Sequence, residues 1–315
     1  MEQLNETTSQ RFILLGLSTD PQLQIIFFIV FLIMYLMTIS GNLLLIIVVR
    51  TNPTLQSPMF FFLTNLSFID ICFSTSIVPV LLMNTLAKDK SISLFGCAAQ
   101  MYVSLGLGAT ESIILASMAY DRFAAICRPL HYTTIISRTL CFYLAALSWS
   151  VGFINSFVQI YLTFQLPFCK YVETNHYFCE VPAFIQMSCG DTFFNELSIY
   201  ITGGIIAGSS FFLILISYFH IISKILKIIS SHGRQKSFST CASHLTVVTL
   251  YFGTVMSMYL RPHSKKYSQY SIETDKVVPI LYTTVTPMLN PLIYSIRNND
   301  VKNAVVNQLK KRQFY

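Results

Sequence analysis

Long apolar runs broken by short polar stretches dominate this 315-residue chain. Seven runs reach spanning length, at roughly 25–49, 59–82, 101–126, 140–166, 197–222, 242–260 and 277–296. A helix rising 1.5 Å per residue crosses about 30 Å of hydrocarbon in about 20 residues. The runs are continuously apolar, without the alternation of barrel strands, so each predicts a helix whose backbone bonds close within the segment. The expected fold is an all-α membrane protein: a seven-transmembrane helix bundle forming one domain over 1–315, with 1–24 and 297–315 as its two ends. Connections are short except for one over 167–196, and no inverted repeat of the transporter kind is visible.

Composition agrees, at 53% hydrophobic, 14% aromatic and only 11% charged, outside the range of a soluble domain. The net charge of +7 is unevenly placed. The side holding the C-terminus carries thirteen Lys and Arg against Asp121 and Asp300, whereas the other side has eight against ten acidic residues. Basic loops stay in the cytoplasm. The C-terminus is therefore expected inside and the N-terminus outside, in the plasma membrane. The charge reads as topology and as contact with anionic lipid headgroups. A nucleic-acid partner is not expected, since no basic patch interleaves with aromatics beyond the bilayer ends.

Met1–Asp20 is polar and lacks the apolar core of a cleavable signal, so the first run is expected to act as its own insertion signal. Asn5-Glu6-Thr7 fits a glycosylation acceptor on the outer side. Of eight cysteines, Cys97, Cys169, Cys179 and Cys189 fall in the oxidising outer zone. Four thiols allow three pairings, and Cys97 is expected to tie down the 167–196 loop. After the last run, Val301, Val305, Val306 and Leu309 recur at near-helical spacing, which predicts a short amphipathic helix along the inner leaflet.

No His-Glu-x-x-His, Gly-x-Ser-x-Gly, Walker or dinucleotide pattern is present, so no enzyme is expected. A retinal imine would require a mid-span lysine, and Lys276 stands only at an outer edge. His176, Cys179 and Glu180 resemble metal ligands, but a disulfide would consume the sulfur, and no metal centre is predicted there. Inside the membrane stand two carboxyls, Asp70 and Glu111, with Asn42 and Asn290 as polar neighbours. Acids at that depth face the bundle interior and share a proton, a cation such as Na⁺, or hydrogen bonds; plain interhelical glue is the alternative. Pro79, Gly203-Gly204, Gly253, Pro287 and Pro291 predict kinks or hinges. The costliest feature is Asp121-Arg122, a charge pair at the inner mouth of the third run.

These motifs, in order and on matching runs, resemble the odorant (olfactory) receptors of the rhodopsin-like G-protein-coupled family. The likeness extends from Phe12 to Arg312. It rests on Gly41-Asn42, on Pro58 to Leu63 with Leu66-Ser67 and Asp70, and on Met118-Ala119-Tyr120-Asp121-Arg122 through Pro129-Leu130-His131-Tyr132. It continues in Ser217-Tyr218, in Lys236 to His244, and in Pro287-Met288-Leu289-Asn290-Pro291-Leu292-Ile293-Tyr294.

The resemblance implies that Arg122, released from Asp121, opens an inner cleft, that Tyr218 and Tyr294 hold it open, and that Asn42, Asp70, Glu111, Asn290 and Pro291 form the switch core. It implies the pairings Cys97–Cys179 and Cys169–Cys189, and a stimulatory Gα that raises cyclic AMP. By position the ligand pocket falls on Ser104, Leu105, Gly108, Ala109, Thr202, Ile206, Phe252, Val255, Met256, Tyr259, Ile280 and Thr283. No carboxylate stands among them, so a neutral volatile (alcohol, aldehyde, ester or ketone) is expected rather than an amine. Two positions depart from the family pattern: Phe123 replaces the tyrosine that usually follows Asp-Arg, and Tyr251-Phe252-Gly253 inverts the usual Phe-Tyr-Gly. The rival class is a transporter or channel using Asp70 and Glu111.

Overall fold

Short polar residues open the helices where the apolar runs begin. Asp20 accepts a hydrogen bond from the Gln22 N–H at 2.9 Å, ahead of Pro21 in the first helical position. Ser93 and Ser137 accept from the Gly96 and Leu140 amides, each at 3.1 Å. Each cap satisfies a donor that the first turn leaves without a partner. The computed structural model describes residues 11–18, 20–87, 89–168, 173–174, 176–227, 230–259, 278–297 and 301–304. Among them the long helices are α1 (Pro21–Thr51), α2 (Pro58–Leu86), α3 (Leu94–Cys127), α4 (Arg138–Phe164), α5 (Phe193–Ile225), α6 (Ser231–Tyr259) and α7 (Thr286–Arg297). A π turn at Leu281–Val285 leads into α7.

α1 to α5 are each long and apolar enough to cross a membrane, and α6 carries a shorter apolar stretch over Cys241–Ser257. Most overrun the apolar runs that predict them, because a helix continues into the headgroup zone until a cap or a proline stops it. Ile25, Ile29, Ile33 and Leu36 of α1 are exposed, as are Phe212 and Phe219 of α5. In a membrane bundle such faces meet lipid. Hydroxyls within the helices turn back to carbonyls one turn earlier, as Thr38 does to Met34 O at 2.9 Å and Thr246 to Ala242 O at 2.7 Å.

α3 is the central helix and packs against α2, α4, α5 and α6. Small residues let α4 approach it closely. A Cβ placed on Gly152 would collide with Thr110 Oγ1 and come within 2.5 Å of Gly106 O. Ser156 Oγ donates across to Tyr102 O at 2.7 Å. This is the close backbone approach that lipid-embedded helices use in place of a hydrophobic drive.

Inner and outer below follow the orientation that the Lys/Arg bias predicts. At the outer end lies a small sheet that the hydrophobic pattern does not foretell. β1 (Arg11–Leu14) pairs antiparallel with β2 (Ser91–Ser93) and parallel with β3 (Glu173–Thr174). Phe12 and Leu14 are buried there in a second core with Cys97, Cys179 and Phe184. The segment before α1, expected to be merely polar, is thus held down as the central strand of the outer sheet. The loop over 167–196 contributes β3 and a short helix, Val181–Gln186. Asn5, Cys169, the Tyr259 side chain and the tail beyond 304 lie outside the described residues. Val301–Ala304 is helical with Val301 buried, which fits the first turn of the expected amphipathic segment.

Candidate functional site

At the inner end of α3, Arg122 Nη2 lies 2.7 Å from Asp121 Oδ2, with Nε at 3.1 Å from the same oxygen. The other carboxylate oxygen accepts from Tyr132 Oη at 2.7 Å. Asp121 is wholly buried and Arg122 nearly so. A buried carboxylate is tolerable only when it is paired and its lone pairs are filled, and here both oxygens are occupied. Tyr132 sits on the helical turn Tyr132–Ile135 beyond α3, inside the Pro129–Tyr132 block of the motif, and sequence reading gave it no role. Burial, then the Asp121 hydrogen bond and charge, push its phenol well above the usual tyrosine range, so it remains a donor. Phe123, the departure from the family pattern, stacks on Tyr120 and lies edge-on against His220, ring contacts that need no hydroxyl at position 123.

About two turns further into the membrane His244 bridges three helices. Its Nε2 lies 3.2 Å from Leu115 O of α3 and its Nδ1 2.8 Å from Tyr218 Oη of α5. A carbonyl can only accept, so Nε2 carries the proton and Nδ1 accepts from Tyr218. His244 belongs to the Lys236–His244 block, yet sequence alone gave no bridging role; a histidine at the start of an apolar run was the available signal. Tyr218, expected to steady an open state, is here bonded to His244. The Tyr294 hydroxyl is buried and has no hydrogen-bond partner among the described residues.

Deeper in the bundle the expected polar residues find these partners. Asn290 Nδ2 donates to both Asp70 oxygens, at 3.1 and 3.0 Å. Asn42 Nδ2 donates to Thr38 O at 3.0 Å and to Pro287 O of the seventh span at 3.1 Å. Glu111 Oε1, Ser74 Oγ, Asn42 Oδ1 and Asn290 Oδ1 are buried oxygens with no hydrogen-bond partner among the described residues. Two carboxyls with several partnerless oxygens form a hard-oxygen donor set, the chemistry that suits a small alkali cation.

At the outer end Cys97 is bonded to Cys179, which fixes the long loop to α3. Gln100 secures the same joint, accepting from Cys179 N at 2.8 Å and donating to Ser76 O at 2.8 Å. Cys189 is disulfide-bonded as well. His176 pairs with Glu180 at 3.1 Å, and the Cys179 sulfur is consumed in its bond. Tyr177 drops from the loop into the core, 3.3 Å from Thr283 Oγ1, and burial holds its phenol protonated.

The positions expected to face a ligand divide three ways. Leu105, Gly108, Ala109, Ile206, Val255, Met256 and Ile280 keep partial exposure, and a methyl on Gly108 would meet nothing within 4 Å. Ser104, Phe252 and Thr283 are buried: Ser104 bonds Met101 O, Phe252 packs on Phe211, and Thr283 meets Tyr177. Thr202 turns towards α4, accepting from Gln159 Nε2 at 3.0 Å. Gln159 and Tyr177 are neighbours of the site that positional reading missed. At the inner end a cleft of about 650 Å³ opens between the end of α3 and α5, lined by Arg128, Leu130, His131, Ile135 and Lys224 among others.

A bundle of membrane-length helices with a paired Asp-Arg at the inner end of α3, and a polar centre tying α2 to α7, defines a G-protein-coupled receptor. The olfactory receptor family model matches residues 31–312. The chain is 46% identical to human olfactory receptor 5M10 over 310 residues, covering 98% of this chain and 97% of that one. It is 47% identical to human olfactory receptor 5M1 over 311 residues, with 99% and 98% covered. Against the dog olfactory receptor-like protein OLF1 it is 49% identical over 300 residues, 95% of each chain. The chain belongs to the olfactory receptor family: a multi-pass membrane receptor for odorants that works with a G protein, and not an enzyme.

Proposed function

We propose that this receptor responds to a small neutral volatile bound between α3, α5, α6 and the seventh span, and that it couples to a stimulatory Gα to raise cyclic AMP. The supporting observation is the closed Asp121–Arg122–Tyr132 cluster beside the basic inner cleft. It holds Arg122 away from a partner while the bundle is shut, and its release would present a guanidinium at the cleft. A ligand acts by binding the open arrangement better than the closed one, and the response cannot exceed that difference. The mixture of apolar faces with a few committed hydroxyls favours an alcohol, aldehyde, ester or ketone. In this reading Asp70 and Glu111, with Ser74 and Asn290, would hold Na⁺ in the closed form; Asn5 carries a glycan outside, and the tail lies along the inner leaflet.

Cyclic AMP measured in transfected cells against a volatile panel tests the reading. At least one neutral volatile should raise it, Arg122→Ala should abolish the rise at equal surface level, and the purified receptor should speed GDP release from a stimulatory Gα. Release that no volatile accelerates would overturn the coupling.

A further inference from the structure

The inverted pair Tyr251-Phe252 places its two rings on different partners. Tyr251 Oη donates to the Gly108 carbonyl of α3 at 2.5 Å. Phe252, about 100° further round the helix, is 2% exposed and lies 5.3 Å from the Phe211 ring of α5. α6 runs outward and α3 inward. One turn outward from the Tyr251–Gly108 bond therefore come Val255 on α6 and Ser104 and Leu105 on α3. Tyr251 thus closes the α3–α6 seam directly beneath the positions expected to meet a ligand. Gly108 suits this role: its carbonyl has a second lone pair for the phenol, and the space beside its Cα is open.

We propose that Tyr251 is a positioning residue that clamps α6 to α3 at the base of the ligand site, and that Phe252 makes this base a specificity-determining apolar wall. The phenol's proton is committed to a backbone carbonyl, and the neighbouring ring carries none. A ligand therefore meets no aromatic hydroxyl donor at position 252, and its polar end must find partners nearer the outer face. The clamp opposes the outward movement of α6, so an agonist works partly by weakening it. The specificity half of this inference rests on the odorant-site reading above; the clamp does not.

The test uses the full chain in lipid nanodiscs, with Cys72, Cys127, Cys141 and Cys241 replaced by alanine. Spin labels go on Thr139→Cys and Arg234→Cys, both exposed at the inner ends of α4 and α6. Tyr251→Phe removes one oxygen and should raise the long-distance population about five-fold without ligand, the shift that losing one hydrogen bond of ordinary net strength carries. The exchange Tyr251→Phe with Phe252→Tyr keeps both rings. It should loosen the seam equally and add a response to straight-chain aldehydes over the matching alkanes. Unchanged distances in both variants would overturn the clamp; a fall in thermal stability alone, without a distance change, would do the same. If no volatile moves the wild-type distances while Tyr251→Phe does, the clamp stands and the odorant-site reading fails.

Discussion

Asn42 of α1 donates to the one carbonyl of the seventh span that Pro291 leaves without its helical partner. Proline has no N–H, so the oxygen four residues earlier, on Pro287, loses its bond, and Asn42 Nδ2 fills it at 3.1 Å. Gly41 serves the same joint, since a Cβ there would stand 3.0 Å from Pro291 Cγ. Asn42→Ala should lower stability by about 1–3 kcal/mol, the cost of a buried group left unbonded. Thermal unfolding of the purified receptor reads this directly. Gly41→Ala should also destabilise, through the Pro291 ring; if both variants melt like the wild type, the joint between α1 and α7 does not contribute to stability.

Tyr132→Phe strips one of the two groups that satisfy Asp121. A hydrogen bond to a charged group contributes about 1.5–3 kcal/mol, and its loss falls on the closed state, where the carboxylate is buried. Unliganded GDP release should rise several-fold at equal receptor concentration, with the ligand-evoked maximum retained. Because the Tyr132 phenol is held protonated by burial and by Asp121, raising the pH from neutral to mildly alkaline should not reproduce the effect. A basal rate that stays at the wild-type level would show that Arg122 alone holds the pair.

Gly152→Ala adds one methyl where α4 meets the Gly106 carbonyl and Thr110 of α3. A backbone oxygen cannot step aside, so the helices must separate, at about 1–3 kcal/mol for overpacking. Surface expression should drop. Gly208→Ala, whose methyl would meet nothing within 4 Å, should leave it unchanged and serves as the matched control.

The long apolar helices were legible in the sequence because lipid allows few solutions. A continuous apolar run must close its own backbone bonds, and an acid such as Asp70 must find an inward partner, here Asn290. The outer cap was not legible. β1 pairs through four residues with segments about 80 and 160 positions away, and four residues carry too little pattern to announce a strand. Thr202 shows the corresponding limit in the pocket. Its place on α5 was readable, but its direction was decided by Gln159, and polarity alone does not say which neighbour claims a hydroxyl.

His244→Phe keeps an aromatic ring between α3, α5 and α6 while deleting both of its hydrogen bonds. In the closed bundle this removes the cross-link to Leu115 O and takes from the Tyr218 hydroxyl its bond to the imidazole, so the closed state loses stability. Tyr218 is also freed, and the proposed open state uses that phenol. Both consequences point the same way: unliganded activity should rise about ten-fold or more, as two modest hydrogen bonds act together. Tyr218→Phe separates the contributions. It removes the same bond to His244 but also the group that would steady the open form, so basal activity should change little and the evoked maximum should fall. If the two variants instead raise basal activity equally, Tyr218 serves only the closed bundle, and some other group, such as the buried Tyr294 hydroxyl, must hold the cleft open.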